Sequence, residues 1–252
     1  MRTVSWIAFF TCCLWMTGTE AQVAPSPPTQ TPAKLPEPTS STTPDNTRYL
    51  NDPRLLIGCQ SLVAAAKDKP CDILFIGDSI TVGWRHPGKE IWDKYYGHRP
   101  SLNFGIAGDK TQNVLWRMDH LDIKGLKPKV TVILIGTNNN SNTGPEIADG
   151  VKAVLAKTRE MFPETKVILV SIMPKGSPVS AKMMEADAIL KTFADDKTVY
   201  FLDLVPLMTP VGKNYKGLGR DYLHPDASGY QLWAEAMEPL LVKLLAEAPA
   251  AK

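Results

Sequence analysis

The sequence has 252 residues, of which 44% are hydrophobic and 21% charged, a globular composition with room for one good-sized domain or two small ones. A formal net charge of +2 with no basic run gives no case for nucleic acid as a partner. The histidines and cysteines do not cluster at ligand spacing, so neither a metal nor a cofactor is expected.

Met1-Arg2-Thr3 precedes an apolar run from Val4 to Met16 that is too short to span a bilayer, and Thr19-Glu20-Ala21 offers small residues at the usual cleavage positions. Residues 1–21 therefore read as a secretory signal peptide. The expectation is a secreted or periplasmic protein with no membrane span in the mature chain. Loss of Arg2 and Glu20 leaves the net charge at +2. Residues 22–47 are rich in Pro, Ser and Thr, with Val23 and Leu35 almost the only large apolar side chains, and read as a flexible linker. The folded domain is expected over 48–252, a length that suits one domain. Cys59 and Cys71 remain after cleavage, in a disulfide-permissive compartment. A bridge between them stays open, although Cys59 falls about two turns before a helix end and Cys71 at the start of the next strand.

A helix is predicted from Pro53 to Ala66, capped by Asp52, with Leu55, Leu56, Leu62 and Val63 on its apolar face. A strand over 72–77 follows and stops at Gly77-Asp78-Ser79. Ligands bind at the carboxyl ends of strands in open α/β sheets, which places Ser79 where a nucleophile would sit. Asp-Ser after a strand is equally ordinary turn and capping chemistry. Between Ser79 and the predicted helix at Glu90–Tyr96, Trp84 and Arg85 suit pocket lining and surface packing alike, whereas Trp92 and Tyr95 have core periodicity. Ser101–Gly105 is a second strand. It runs into Ile106-Ala107-Gly108-Asp109, before a helix over Gln112–Met118. Val130–Ile135 is the clearest buried strand and ends in Gly136-Thr137-Asn138-Asn139. Helices over 145–162 and 180–194 alternate with strands over Lys166–Ile172 and Val199–Asp203. A loop over 204–223 leads to Asp221-Tyr222-Leu223-His224-Pro225. The last helix, from Asp226 to Ala246, turns Tyr230, Trp233, Met237, Leu240, Leu241 and Leu244 inward. This alternation indicates an α/β fold with five parallel strands covered on both faces.

Ester hydrolysis by a serine needs an activated hydroxyl, a base within reach, a group that orients the base, and donors for the developing oxyanion. Ser79 is the candidate nucleophile, His224 the base and Asp221, three residues earlier on the same loop, its orienting partner. His86, His98 and His120 stand in structural contexts. Asp-x-x-His before a helix is also good capping chemistry, so the case rests on Ser79 and His224 together.

Gly77-Asp78-Ser79-Ile80, Gly105-Ile106-Ala107-Gly108-Asp109, Gly136-Thr137-Asn138-Asn139 and Asp221-Tyr222-Leu223-His224 resemble, in order, the four sequence blocks of the GDSL, or SGNH, hydrolases. The resemblance runs from about Pro53 and is nearest to the catalytic subunits of brain-type platelet-activating-factor acetylhydrolase and their bacterial relatives. It implies a flavodoxin-like three-layer α/β/α sandwich with Ser79 as nucleophile, His224 and Asp221 as the other triad members, and an oxyanion hole of Ser79, Gly108 and Asn138. Ala107 stands where close relatives often carry glycine, Asn139 where many members have Asp although the acetylhydrolase branch also has Asn, and the stretch Met183–Ala188 lacks an expected asparagine. The implied activity is that of a secreted serine esterase acting on short-chain, acetyl, O-esters, with acetylated carbohydrates as the preferred class. A lipid-like or other small ester, acyl transfer to a sugar, and a non-catalytic glycan- or partner-binding role are the rival expectations. The expected partner is a small-molecule or glycan ester, and a homodimer is compatible with the resemblance.

Overall fold

The computed structural model describes residues 41–174, 180–208, 210–211 and 214–247. The signal-peptide reading and residues 22–40 of the linker lie outside them. In chain order the first elements are α1 (Thr47–Asn51), α2 (Pro53–Ala66), β1 (Ile73–Gly77), α3 (Ser79–Val82), α4 (Lys89–Tyr95), β2 (Ser101–Gly105) and α5 (Thr111–His120). There follow β3 (Val130–Leu134), α6 (Gly144–Met161), β4 (Lys166–Val170), α7 (Ala181–Leu190), β5 (Val199–Leu202), the short strands β6 (Pro210–Val211) and β7 (Asn214–Tyr215), and α8 (Ala227–Glu247).

The five long strands form one parallel sheet in the order β2-β1-β3-β4-β5. That is the flavodoxin-like order, and it reverses direction between β1 and β3. β1 and β3 are buried at every position, which is why both read as unbroken apolar runs rather than as alternating ones. Leu74, Ile76, Ile133 and Leu169 face a core shared with Cys59 of α2, Val114 and Met118 of α5, Val151 of α6 and Met183 of α7. Ile73, Phe75, Val132 and Ile168 face the opposite core, with Trp84, Tyr96, Tyr230, Trp233 and Met237. Each large side chain so buried contributes roughly 1.5–3 kcal/mol. The period-2 alternation of the strands thus divides the helices between two layers.

Asp52 caps α2 as expected, its carboxylate accepting from Arg54 N at 3.1 Å. Thr143 and Glu146 form a capping box that starts α6. Other details differ from the sequence reading. Residues 41–47, read as linker, are held against the fold: Thr111 Oγ1 donates to the Ser41 carbonyl at 2.7 Å, and Asp45 N to the Gln112 carbonyl at 3.0 Å. Trp84 is fully buried, packed on Trp233 with ring centroids 5.0 Å apart, so its role is core. Tyr96, outside the expected core pair, is the ring of α4's end that is wholly buried, while Trp92 and Tyr95 are half-buried. Cys59 and Cys71 are free and buried, and burial pushes the Cys71 thiol up to about 12.

β2 is one of the sheet's two edges, where unpaired backbone groups invite another chain. Here neighbouring side chains occupy two of its backbone groups. Arg85 donates to the Asn103 carbonyl, and Asn103 Oδ1 accepts from Gly105 N at 3.0 Å. A cavity of about 570 Å³ lies alongside, between α2, α4 and β2, lined by Leu62, Trp92 and Leu102 among others, and it includes neither Ser79 nor His224.

Helix α7 carries Asp187, whose Oδ1 accepts from Ile172 N at 2.7 Å. An asparagine oxygen makes the same bond. Burial pushes the Asp187 carboxyl up to about 7, against the pull of that hydrogen bond and aided by the charge of Asp203. A carboxyl whose pKa is raised by folding stabilises the fold below its unfolded value near 4, and that contribution is lost as pH rises through about 7. Asp187→Asn is therefore expected to unfold like the parent near pH 4 and to gain roughly 1–2 kcal/mol over it at pH 8, measured by urea denaturation. Equal stabilities at both pH values would refute this account.

Candidate active site

The site lies outside the carboxyl ends of β1, β2 and β3, where the strand order reverses. Gly77 ends β1 against its neighbour so closely that a Cβ would stand 2.3 Å from the Leu134 carbonyl oxygen. Asp78 then caps α3, accepting from Ile80 N at 2.9 Å, and this turn presents Ser79, half-buried, as the first helical residue.

Ser79 Oγ is 2.8 Å from His224 Nε2. His224 Nδ1 is 2.6 Å from Asp221 Oδ2. The other carboxylate oxygen of Asp221 accepts from the backbone N–H groups of Leu223 and His224, at 3.1 and 3.0 Å. Burial raises the Asp221 pKa, but hydrogen bonds from the His224 ring and these backbone groups outweigh it and hold the carboxyl below its ordinary range. The loop that carries both residues is pinned at its base, where Gly219 N donates to the His224 carbonyl at 2.8 Å and Asp226 N to that of Gly217 at 3.0 Å.

Asn138 Nδ2 donates to the Asp109 carbonyl at 3.0 Å and faces Asp78 Oδ2 at 3.4 Å. It thus joins the turn after β2 to the residue preceding Ser79. Gly108 takes a left-handed backbone, φ 76°, which a side chain would strain. Ser79, Gly108, Asn138, Asp221 and His224 are in this way drawn to one end of the sheet. Asn139 is fully buried and uses its amide as a donor: Nδ2 reaches Thr111 Oγ1 at 3.1 Å, Gln112 Oε1 at 3.0 Å and Asn142 Oδ1 at 3.2 Å. A carboxylate there would face the Gln112 and Asn142 oxygens without a proton to offer.

Two buried acids take a larger part than the sequence suggested. Burial pushes Asp78 up to about 7, which the Ile80 N–H opposes and the charge of Asp109 reinforces. Asp109 is wholly buried and accepts from Arg117 Nε at 2.8 Å, Tyr49 OH at 2.9 Å and Arg48 Nη1 at 3.1 Å. Burial raises its pKa, and Arg117, the Tyr49 hydroxyl and Arg48 oppose the rise. Arg117 also donates to the Phe104 carbonyl at 2.9 Å, so one guanidinium holds the end of β2 and the turn that follows it. Asp109 stood within a recognisable motif. Arg48 and Tyr49 had no local signal, because their partner lies 60 residues away in the chain. Among the described residues no three His, Cys, Asp or Glu side chains cluster as a metal site would require, and no helix is long and apolar enough to cross a membrane.

Residues 75–232 match the model of the GDSL-like Lipase/Acylhydrolase family. The platelet-activating factor acetylhydrolase IB subunit alpha1 of Rattus norvegicus is 34% identical over 190 residues, which cover 73% of this chain and 81% of that protein. Among solved structures, a GDSL-like lipase from Bacteroides thetaiotaomicron superposes with a TM-score of 0.60 at 20% identity, covering 77% of this chain and 98% of the other. A carbohydrate esterase family 3 protein from Talaromyces cellulolyticus does so with a TM-score of 0.56 at 18% identity, covering 71% and 100%. The family model spans the strand ends just described, from within β1 to the start of α8, and the chain is a carboxylic ester hydrolase belonging to the GDSL-like lipase/acylhydrolase family.

Proposed function

We propose that Ser79, His224 and Asp221 are the catalytic triad of a short-chain O-acyl esterase. The line of hydrogen bonds from Ser79 Oγ through His224 to Asp221 carries this reading. Ser79 Oγ attacks the ester carbonyl carbon as His224 Nε2 accepts its proton. The negative charge that forms on the carbonyl oxygen is met by the backbone N–H groups of Ser79 and Gly108 and by the Asn138 amide. Each such donor in a preorganised site is worth roughly 3 kcal/mol. Collapse breaks the bond to the alcohol, which leaves with the proton from His224. Water, deprotonated by the same imidazole, then releases the acid and restores Ser79. Asp221, ionised at neutral pH, keeps the Nδ1–H of His224 turned toward itself and Nε2 free for the serine proton.

The acyl group we infer is acetyl, and the preferred alcohol a carbohydrate on an exported protein whose signal peptide is residues 1–21. The relatives named as acetylhydrolases support the acyl group. Export supports a cell-surface or extracellular glycan. A lipid-like ester is the second reading, and the platelet-activating-factor relatives favour it. A serine-directed phosphonate is expected to label Ser79, and rates on aryl esters of graded chain length to fall beyond acetyl. Release of acetate from acetylated oligosaccharides, and not from an acetylated ether lipid, is the expected outcome. The reverse preference would replace the carbohydrate with the lipid, and no labelling of Ser79 would remove the triad. A secreted product beginning at Gln22 is expected on N-terminal sequencing.

A further inference from the structure

The chain ahead of the sheet reaches into the site. Ser41 Oγ donates to the Glu146 carbonyl, the Ser41 carbonyl accepts from Thr111, and Asn113 Nδ2 donates to the Asp45 carbonyl at 3.1 Å. Residues 41–46 therefore lie along the start of α5, and α1 follows them directly. From α1, Tyr49 is buried and its hydroxyl donates a hydrogen bond to Asp109. Arg48 pairs with the same carboxylate, and its guanidinium lies over Gly108: a Cβ on that glycine would stand 2.8 Å from Nη2 and 3.0 Å from Cζ.

Asp109 is the common anchor of two residues assigned to the oxyanion hole. Gly108 precedes it in the chain, and Asn138 donates to its carbonyl oxygen. We propose that α1 is a working part of the active site, in which Arg48 and Tyr49 act as positioning residues that fix Gly108 and Asn138 through Asp109. This rests on the oxyanion reading above. The Arg48 side chain is 30% exposed, and one of its nitrogens bonds the carboxylate while the guanidinium lies against Gly108, so it restrains the turn from the solvent side. Tyr49 and Arg117 restrain it from within. A donor displaced by a fraction of an ångström meets the ground-state carbonyl nearly as well but the oxyanion less well, so the loss appears in kcat rather than KM.

The test uses the full mature chain with Tyr49→Phe, Arg48→Ala and, as reference, Asn138→Ala. Turnover of an aryl acetate is expressed per phosphonate-titrated serine, which separates a slower site from fewer folded sites. For Tyr49→Phe and Arg48→Ala the expected result is a kcat about tenfold lower, KM within about twofold, and an unmoved pH midpoint, beside a fall of roughly 100-fold for Asn138→Ala. Added guanidinium is expected to restore part of the Arg48→Ala rate and to leave Tyr49→Phe unchanged. Parental kcat per titrated serine in both α1 variants, with Asn138→Ala impaired, would overturn this inference alone. Full activity of Asn138→Ala would instead overturn the oxyanion assignment beneath it. Should Arg48→Ala fail to fold, Tyr49→Phe, which deletes one hydroxyl and no volume of consequence, decides the matter.

Discussion

Ser79→Ala is expected to lower turnover of a short-chain aryl acetate by a factor on the order of 10⁶. The substitution removes the hydroxyl that forms the acyl-enzyme in the proposed mechanism. It costs the fold little, because among the described residues Ser79 Oγ bonds only to His224, and the half-buried residue begins a short helix that alanine accepts. The thermal midpoint is expected within a degree or two of the parent's. Catalysis left over water would come from the oxyanion donors and from binding, since both survive. The comparison that matters is therefore turnover against stability in one preparation. Full activity in a folded Ser79→Ala chain would remove the nucleophile assignment and with it the proposed mechanism.

Asp221→Asn is the second large effect, expected near 10³- to 10⁴-fold in kcat. In the parent, Oδ1 of Asp221 accepts two backbone N–H groups and Oδ2 faces His224 Nδ1. The asparagine oxygen is held by those same backbone groups, which turns its NH₂ toward the ring. Nδ1 must then accept, the proton moves to Nε2, and His224 offers Ser79 a donor where it needs a base. The loop would keep its shape while the imidazole is held in the wrong tautomer. Asp221→Ala is expected to be less selective, since it also strips the acceptor from Leu223 and His224 backbone groups. Near-parental kcat for Asp221→Asn would mean that another group orients His224.

The sheet was legible because its three inner strands are buried on both faces and write themselves as apolar runs: Ile73–Ile76, Val130–Leu134 and Val167–Val170 need no alignment to be seen. Their strand ends carried the small and polar residues at the candidate site for the same reason. Helix α1 was not legible. Five residues beside a Pro-rich stretch have too little periodicity to announce a helix, and what holds them is Asp109, far along the chain. Trp84 misled by proximity: five residues after Ser79 in sequence, its ring turns to the core beneath the sheet rather than to the site. Asp187 shows a third limit. Its bond to Ile172 N depends on packing of α7 against the loop after β4, which no spacing within α7 reveals.

The pinned loop 217–226 has a mechanical consequence. Asp221 and His224 are three residues apart on one short span, and their mutual hydrogen bonds, ring to carboxylate and backbone to carboxylate, all lie inside it. Any displacement of that span carries the proposed base and its orienting partner together, with the ring-to-carboxylate hydrogen bond kept inside it. Only one distance in the proposed triad then joins separate parts of the fold, the 2.8 Å between His224 Nε2 and Ser79 Oγ. Motion of this loop would therefore act on the proposed triad through one contact, a switch rather than a set of parts to realign.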